Sequence, residues 1–470
     1  MNEPSRPDAP SVSAGGVYAD YAARVALLRA QYAEIPPGRQ VRLAKPTSNL
    51  FRQRAATSSP GLDVRGFDGV LSVDPAARTA DVQAMTTYEH LVATTLPHGL
   101  IPLVVPQLKT ITLGGAVTGL GIESTSFRNG LPHESVLEVE VLTGDGRVVI
   151  ATRDNEYADL FRGLPNSYGT LGYVLRLTIA LEPVAPYVAI RHVSFSSARQ
   201  AAAAIAQICA DRAFQGEVVD FCDGTVFEPA ELFLTLGRYT DRAPYGTSDY
   251  TGRRIYYRSI DQRHTDTLTT HDYLWRWDTD WFWCSAAFGV QNRWVRPLVP
   301  RRLLRSERYW KVVAFENRHG WYAGYERRRG RPPREQVIQD VEVPLSRLPE
   351  FLAWFDRGIG MRPVWLCPLT ARDPGQDWPL FRMDHTEPWV NVGFWGTVPL
   401  SPGQGASHHN RLIEAEVERL GGRKSLYSTA FYAPDDFWRI YNGAAYDELK
   451  AGYDPDGRLL NLYDKAVRAK

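Results

Sequence analysis

The chain has 470 residues, with 54 Lys and Arg against 53 Asp and Glu and a formal net charge of +1. That length allows two or three domains and a large core, while the balanced charge excludes a molecule built as a whole for nucleic acid. Cys209, Cys222, Cys284 and Cys367 lie far apart with no CxxC pair, so no zinc site or disulfide framework is expected and no metal is assigned. No run of 18 apolar residues occurs, which leaves no candidate membrane span.

Residues 1–16 are polar and rich in Pro, Ser and Gly, with no basic start followed by an apolar core; they are expected to be disordered and not to be a signal peptide. Residues 17–33 carry apolar positions at helical spacing. VRLAKPTSNLF reads as a strand entering a turn, and GVLSVDPAARTADVQAM as two strands joined at Asp74-Pro75. A helix follows, opened by Thr86 and Glu89 at capping-box spacing and stopped by Gly99.

The stretch TITLGGAVTGLGIESTSFRNG from Thr110 to Gly130 carries Gly114, Gly115, Gly119 and Gly121. Glycine lets backbone N–H groups approach a ligand where a Cβ would collide, and such a loop suits a pyrophosphate anion. A second pair, Gly169 and Gly172, follows some 40 residues on. Gly119-Leu-Gly121-Ile-Glu-Ser124 nearly matches the nicotinamide fingerprint, but it lacks the strand before and helix after that the fingerprint needs. FAD is therefore expected rather than NAD.

Between the two glycine groups, VLEVEVLTGDGRVVI reads as a hairpin turning at Gly144-Asp145-Gly146, and after them YVLRLTIALEPV as a strand. The texture changes around Pro183–Pro186, where a domain boundary is placed. Beyond it come aromatic-rich, helical-looking segments such as YLWRWDTDWFW, then a basic run, 294–334, with twelve Arg or Lys. That run suggests either contact with an anionic membrane surface, docking to a partner enzyme, or a solvated loop. From 337 the pattern is strand, helix, strand twice over, ending in SLYSTAFY, which suggests an antiparallel sheet covered by helices.

In this order the pieces resemble the vanillyl-alcohol-oxidase-type flavoproteins, also called the p-cresol-methylhydroxylase (PCMH) FAD fold. The resemblance implies an α+β fold: a two-subdomain FAD-binding domain at 17–185, a cap with an antiparallel sheet at 186–425, and a C-terminal segment at 426–470 returning near the flavin. The implied first phosphate loop is Lys45, Pro46, Thr47, Ser48, Asn49 and Leu50. The second runs from Thr112 through the four glycines to Ile122, Glu123 and Ser124; Pro106, Gln107 and Thr110 precede it, and Val174 follows the late pair Gly169 and Gly172. The first loop has no His or Cys to link a flavin, so dissociable, non-covalent FAD is implied.

Within the family the chain looks most like the Δ24-sterol reductase-like proteins, through GIES at 121–124, QDVEVPLSRL, PVWLCPL, LYSTAFYAPDDFW and the late YDK. It also resembles the actinobacterial flavoproteins that reduce a 10-methylene fatty acyl chain, made by a SAM-dependent lipid methyltransferase, to the 10-methyl product. These resemblances imply a reductase of an isolated lipid double bond, NADPH as electron donor, and a cytoplasmic location with peripheral membrane contact. The alternative is a Δ24-sterol-type reductase, or an FAD-dependent alcohol oxidase acting on an alditol or a polyprenyl-phosphoryl pentose.

An isolated alkene has no carbonyl to accept negative charge, so hydride cannot simply add to it. Protonation at the less substituted carbon gives a tertiary cation that hydride can quench, and the protein must supply the acid. Asp220, between apolar residues in GEVVDFCDG, is the first candidate; His271, Asp272 and Asp278 in the aromatic segment are the second group.

Overall fold

The computed structural model describes residues 14–45, 51–52, 60–319 and 328–468. Of the residues expected to be disordered, 1–13 lie outside this range, whereas Ala14–Gly16 already belong to the first helix, Ala14–Glu34. Pro46–Leu50 also lie outside it.

The strands in chain order are β1 (Arg42–Ala44), β2 (Gly61–Asp63), β3 (Val70–Asp74), β4 (Thr79–Gln83), β5 (Leu100–Pro102), β6 (Val136–Thr143), β7 (Val148–Thr152) and β8 (Gly172–Pro183). Then come β9 (Tyr187–Phe195), β10 (Ala213–Phe214), β11 (Glu217–Val218), β12 (Phe221–Glu228), β13 (Glu231–Thr240) and β14 (Thr265–Thr269). The last are β15 (Arg334–Pro344), β16 (Val364–Leu369), β17 (Trp389–Pro399) and β18 (Arg423–Lys424).

Two antiparallel sheets organise the molecule. The first has the order β3-β4-β8-β6-β7, with β5 also on β8; the second has eight strands in the order β14-β9-β13-β12-β16-β17-β15-β18. The chain passes from one to the other across three residues, Val184 to Pro186. Among the described residues only the short pair β1 and β2 is parallel, so they form no doubly wound parallel sheet to carry a nicotinamide fingerprint, and the α+β expectation holds.

Side-chain alternation divides the second sheet into two faces. Val341, Val343, Val364, Leu366, Val390 and Val392 face a core closed by the helices Ala198–Asp211, Leu348–Gly358 and His408–Arg419. In the middle helix, Leu348, Phe351, Leu352 and Phe355 make the apolar stripe that packs there. Each side chain so buried contributes roughly 1.5–3 kcal/mol. The residues between, including Asp340, Glu342, Trp365, Cys367, Asn391 and Trp395, therefore present the opposite face toward the FAD-binding half.

Several local expectations change. The helix after β4 is capped by Thr87, whose side chain accepts from the His90 N–H, one residue beyond the proposed capping box. The glycine-rich run is no open loop: Leu113–Gly119 is helical, with Thr112 as N-cap. SLYSTAFY does not extend β18; it crosses back, with Ala430 N–H donating to the Ala466 carbonyl. Residues of the C-terminal segment such as Phe437, Tyr446 and Leu462 join the same core as Val139 and Leu177.

The aromatic segment is not a regular helix either. After a short helical turn, Thr270–Leu274, it kinks through Trp281 and Phe282, with φ of 47° and 60°. Bulky residues adopt this left-handed conformation only where surroundings enforce it. Here the kink buries Trp277, Trp281, Phe282 and Trp283 together.

Candidate active site

Three strands of the second sheet meet in register at one point: Asp340 of β15 lies opposite Gly393 of β17, which lies opposite Trp365 of β16. A Cβ on Gly393 would sit 2.5 Å from the Asp340 carboxylate and 2.7 Å from the Trp395 ring. The glycine is thus the seat in which that carboxylate rests. Asn391 Nδ2 donates to Asp340 at 3.0 Å, and Trp395 and Tyr427 also hydrogen-bond it. Trp395 Nε1 donates to the Tyr427 hydroxyl at 2.9 Å.

None of these partners is cationic. Burial pushes the Asp340 acid up to about 6 against the pull of its hydrogen bonds. Asp340 nevertheless keeps accessible surface. Two residues along the same face, Glu342 is fully enclosed, and burial pushes it up to about 8; Ser425 donates to it at 2.8 Å.

Aromatic rings wall this acid. Trp395 lies 4.4 Å from Phe282 and 5.3 Å from Trp283, ring centre to ring centre. Phe51, from the FAD-binding half, stacks on Trp281 at 5.5 Å and meets Tyr427 edge-on at 5.9 Å.

A second polar cluster lies deeper in the seam between the two sheets. Arg276 is completely buried, with Nη2 3.1 Å from both Glu123 and Asp223. Trp277 and Trp365 donate their indole N–H groups to Asp223 at 3.2 and 3.1 Å, and Ser124 donates to Glu123 at 2.9 Å. The Arg276 guanidinium sits 3.9 Å above the Tyr273 ring. Burial pushes Glu123 up to about 7, with Arg276 opposing the shift.

The proposed acids fall elsewhere. Asp220 immediately precedes Phe221, which faces the seam, so alternation turns Asp220 away; its carboxylate accepts the Tyr239 N–H at 2.7 Å. Asp223, at the opposite parity, is the residue of that stretch that reaches the seam. His271 is half exposed and pairs with Asp272, which sits in the first turn of a surface helix capped by Thr269. Asp278 is buried but engaged: it accepts the Lys109 N–H at 3.1 Å and the Ser306 hydroxyl at 2.6 Å, tying the Pro106–Lys109 loop to the aromatic segment. Burial raises its pKa against those bonds.

Most glycines of the cofactor run serve packing. A Cβ at Gly114 would lie 2.8 Å from Ala84, at Gly119 3.1 Å from Tyr168, at Gly121 3.1 Å from Pro106, and at Gly172 2.5 Å from Val141. Gly115 alone of the four in the run is exposed, and its N–H donates to Thr112. Val174 pairs with Val141 in the first sheet, and Thr110 lies in the turn before Thr112. Lys45 reaches Met85 at 3.4 Å.

Asp340, Glu342, Asp223 and Arg276 were not assigned from the sequence. The alternation of QDVEVPL was the available signal, because its acidic residues fall at every second position of a strand.

A family model described as an FAD binding domain matches residues 31–152. The Δ24-sterol reductase of Arabidopsis thaliana is 26% identical over 444 residues, covering 87% of this chain and 77% of that protein. The Homo sapiens Δ24-sterol reductase is 25% identical over 425 residues, covering 85% and 76%. Cytokinin dehydrogenase 6 of Oryza sativa subsp. japonica is 34% identical over 413 residues, covering 82% and 72%. The chain belongs to the PCMH-type family of FAD-binding oxidoreductases.

The residues present fit the cofactor of that family. Gln107 Nε2 and Ser167 Oγ are buried polar atoms that bond nothing in the protein, a state that ordinarily signals an unseen partner. Both segments pack on the glycine run: the Tyr168 N–H donates to the Thr118 carbonyl and the Tyr168 hydroxyl to the Gly119 carbonyl, both at 3.0 Å, and a Cβ on Gly121 would meet Pro106, beside Gln107, at 3.1 Å. Asn166, Tyr168 and Gly169 all have positive φ, which bends the backbone sharply at this point. Gln107, Ser167, the Tyr168–Gly169 bend and Ile122–Ser124 are thus the described groups placed to hold FAD.

Proposed function

We propose that this flavoprotein reduces an isolated carbon–carbon double bond of a lipid, with a 10-methylene fatty acyl chain as substrate and NADPH as electron donor. Reduced FAD supplies a hydride. The observation that carries the reading is Asp340: a buried carboxylic acid bounded by aromatic rings, on a residue that keeps some surface, with no cation among its hydrogen-bonding partners. An alkene of this kind needs a proton donor whose acidity is weakened toward neutrality, so that a usable fraction stays protonated, in walls that exclude water.

Asp340 gives its proton to the terminal methylene carbon. Positive charge then develops at the branched carbon, where the faces of Trp395 and Trp281 supply cation–π stabilisation of about 0.5–2 kcal/mol and the new carboxylate supplies more. Asn391 and Tyr427 hold the acid in place and stabilise its ionised form. Solvent returns the proton between turnovers.

The cytokinin dehydrogenase relative favours a second reading, in which the same carboxylate, ionised, acts as base while hydride leaves an alcohol or amine carbon. One anaerobic experiment separates the two. Flavin bleached by NADPH and reoxidised by methylene-branched lipid supports the reductase. Flavin bleached by an alditol and reoxidised with peroxide release in air supports the dehydrogenase.

A further inference from the structure

From residue 293 to residue 312 the surface of the protein combines two features that soluble faces keep apart. Trp294 is 71% exposed and Leu298 81%, and Val295, Leu303 and Val312 stand out beside them. Interleaved are the exposed cations Arg293, Arg301, Arg302, Arg308 and Lys311, with Glu307 the sole acid between them. The Arg293 guanidinium lies 4.7 Å above the Trp294 ring. Large apolar side chains ringed by arginine match the boundary between anionic headgroups and acyl chains, where tryptophan also concentrates.

The segment's inner side is anchored. Arg296 is buried and bonds both oxygens of Asp280. Leu304 and Tyr309 belong to the same aromatic core as Trp281 and Trp365, and Val299 and Trp310 pack against it. The outward apolar residues are therefore not misplaced core: the core positions of this stretch are filled by its other side chains. These inner residues share one apolar cluster with the rings that wall Asp340.

We propose that residues 293–312 form a docking surface for an anionic lipid bilayer, which seats the protein on the membrane holding its substrate. The docking stands on the surface itself; its purpose rests on the lipid reading given under Proposed function. Within the fold, no helix among the described residues is long and apolar enough to cross a membrane, so attachment through this face is peripheral.

The test is sedimentation of the FAD-loaded protein with vesicles of phosphatidylcholine alone and of phosphatidylcholine with 40% phosphatidylglycerol, a composition of about the charge density that recruits basic segments. Binding to the anionic vesicles and not to the neutral ones is expected, weakening with salt. Arg301→Glu/Arg302→Glu should loosen it on the order of a hundredfold. Trp294→Ser/Leu298→Ser should loosen it about tenfold or more while FAD content stays unchanged. A Trp294→Phe variant should lose most of the blue shift in tryptophan emission on binding.

Equal sedimentation of wild type and both double variants overturns the proposal, as does salt-insensitive binding to neutral vesicles. Retention of this face by a lipid methyltransferase, with no vesicle binding, overturns it in favour of a protein partner. If vesicle docking is lost in the variants but no lipid reoxidises the flavin, the docking surface stands and the substrate reading falls.

Discussion

The assignment of Asp340 makes a quantitative statement about pH. An acid that titrates near 6 is protonated in about one molecule in ten at pH 7 and about one in a hundred at pH 8. If it delivers the proton in the rate-limiting step, reoxidation of pre-reduced flavin by lipid should be level below about pH 5. It should then fall tenfold per unit above pH 6. Asp340→Asn preserves the shape and the Asn391 contact but has no proton to give, so the rate should drop by about 10²–10⁴-fold and the slope should vanish. Anaerobic stopped-flow mixing of the bleached enzyme with lipid isolates this half-reaction from bleaching by NADPH. A wild-type rate that stays flat from pH 5 to 8, or an Asp340→Asn enzyme reoxidised at the wild-type rate, refutes the assignment.

Other outcomes follow from the same geometry. Asp220→Asn should leave the lipid half-reaction within about twofold of wild type, because its carboxylate serves the Tyr239 N–H. Arg276→Met leaves Glu123 and Asp223 buried without their cation and should cost about 3–5 kcal/mol in urea titration. Adding Asp223→Asn to Arg276→Met should restore part of that loss, which a purely steric defect would not do. Gly114→Ala drives a methyl into Ala84 and should destabilise by about 1–3 kcal/mol. Gly115→Ala, at the exposed position, meets only the Thr112 hydroxyl, at 2.9 Å, and should cost about 0.5–2 kcal/mol through the disturbed N-cap. Stability should also decline between pH 6.5 and 8. Glu123 and Glu342, raised to about 7 and 8, keep protons that the unfolded chain loses from 4.5, so their contribution is complete below that pH and is lost as pH rises to 7 and 8. His133 and His192, lowered by burial to about 3 and 4, act in the opposite sense only below about 6.5.

Local chemistry made the scaffold readable and the site hard to read. Hairpins with explicit turn residues, such as Asp74-Pro75 and Gly144-Asp145-Gly146, appear in the sequence as they do in the fold. The glycines were misleading in a physical way. Four of them admit a neighbouring protein atom, a need that leaves the same mark as close approach of a phosphate. The catalytic candidates were harder still, because whether Asp220 or Asp223 faces the seam depends on a single-residue parity that GEVVDFCDG does not reveal. Arg276 reaches Glu123 only across 153 residues of chain, and Asp340 takes its place in the site only through the pairing of its strand with Gly393.

One question within the site has a definite answer by experiment: why Asp340 and not Glu342. The two stand on the same face of β15 and both resist ionisation, and a charge on Asp340 pushes Glu342 further up. Asp340 has three side-chain donors to stabilise its anion and retains accessible surface, whereas Glu342 is enclosed, keeps Ser425 as its side-chain donor, and loses its proton last. An acid that never ionises at working pH cannot cycle a proton, but its neutrality prevents a second negative charge that would push Asp340 higher. Glu342→Gln mimics the protonated form already present. It should leave reoxidation at pH 6–7 within about twofold of wild type and differ only above pH 8, where Glu342 would otherwise ionise. If Glu342→Gln slows reoxidation as much as Asp340→Asn, the proton comes from Glu342 or passes through it, and accessibility is the wrong criterion for choosing between them.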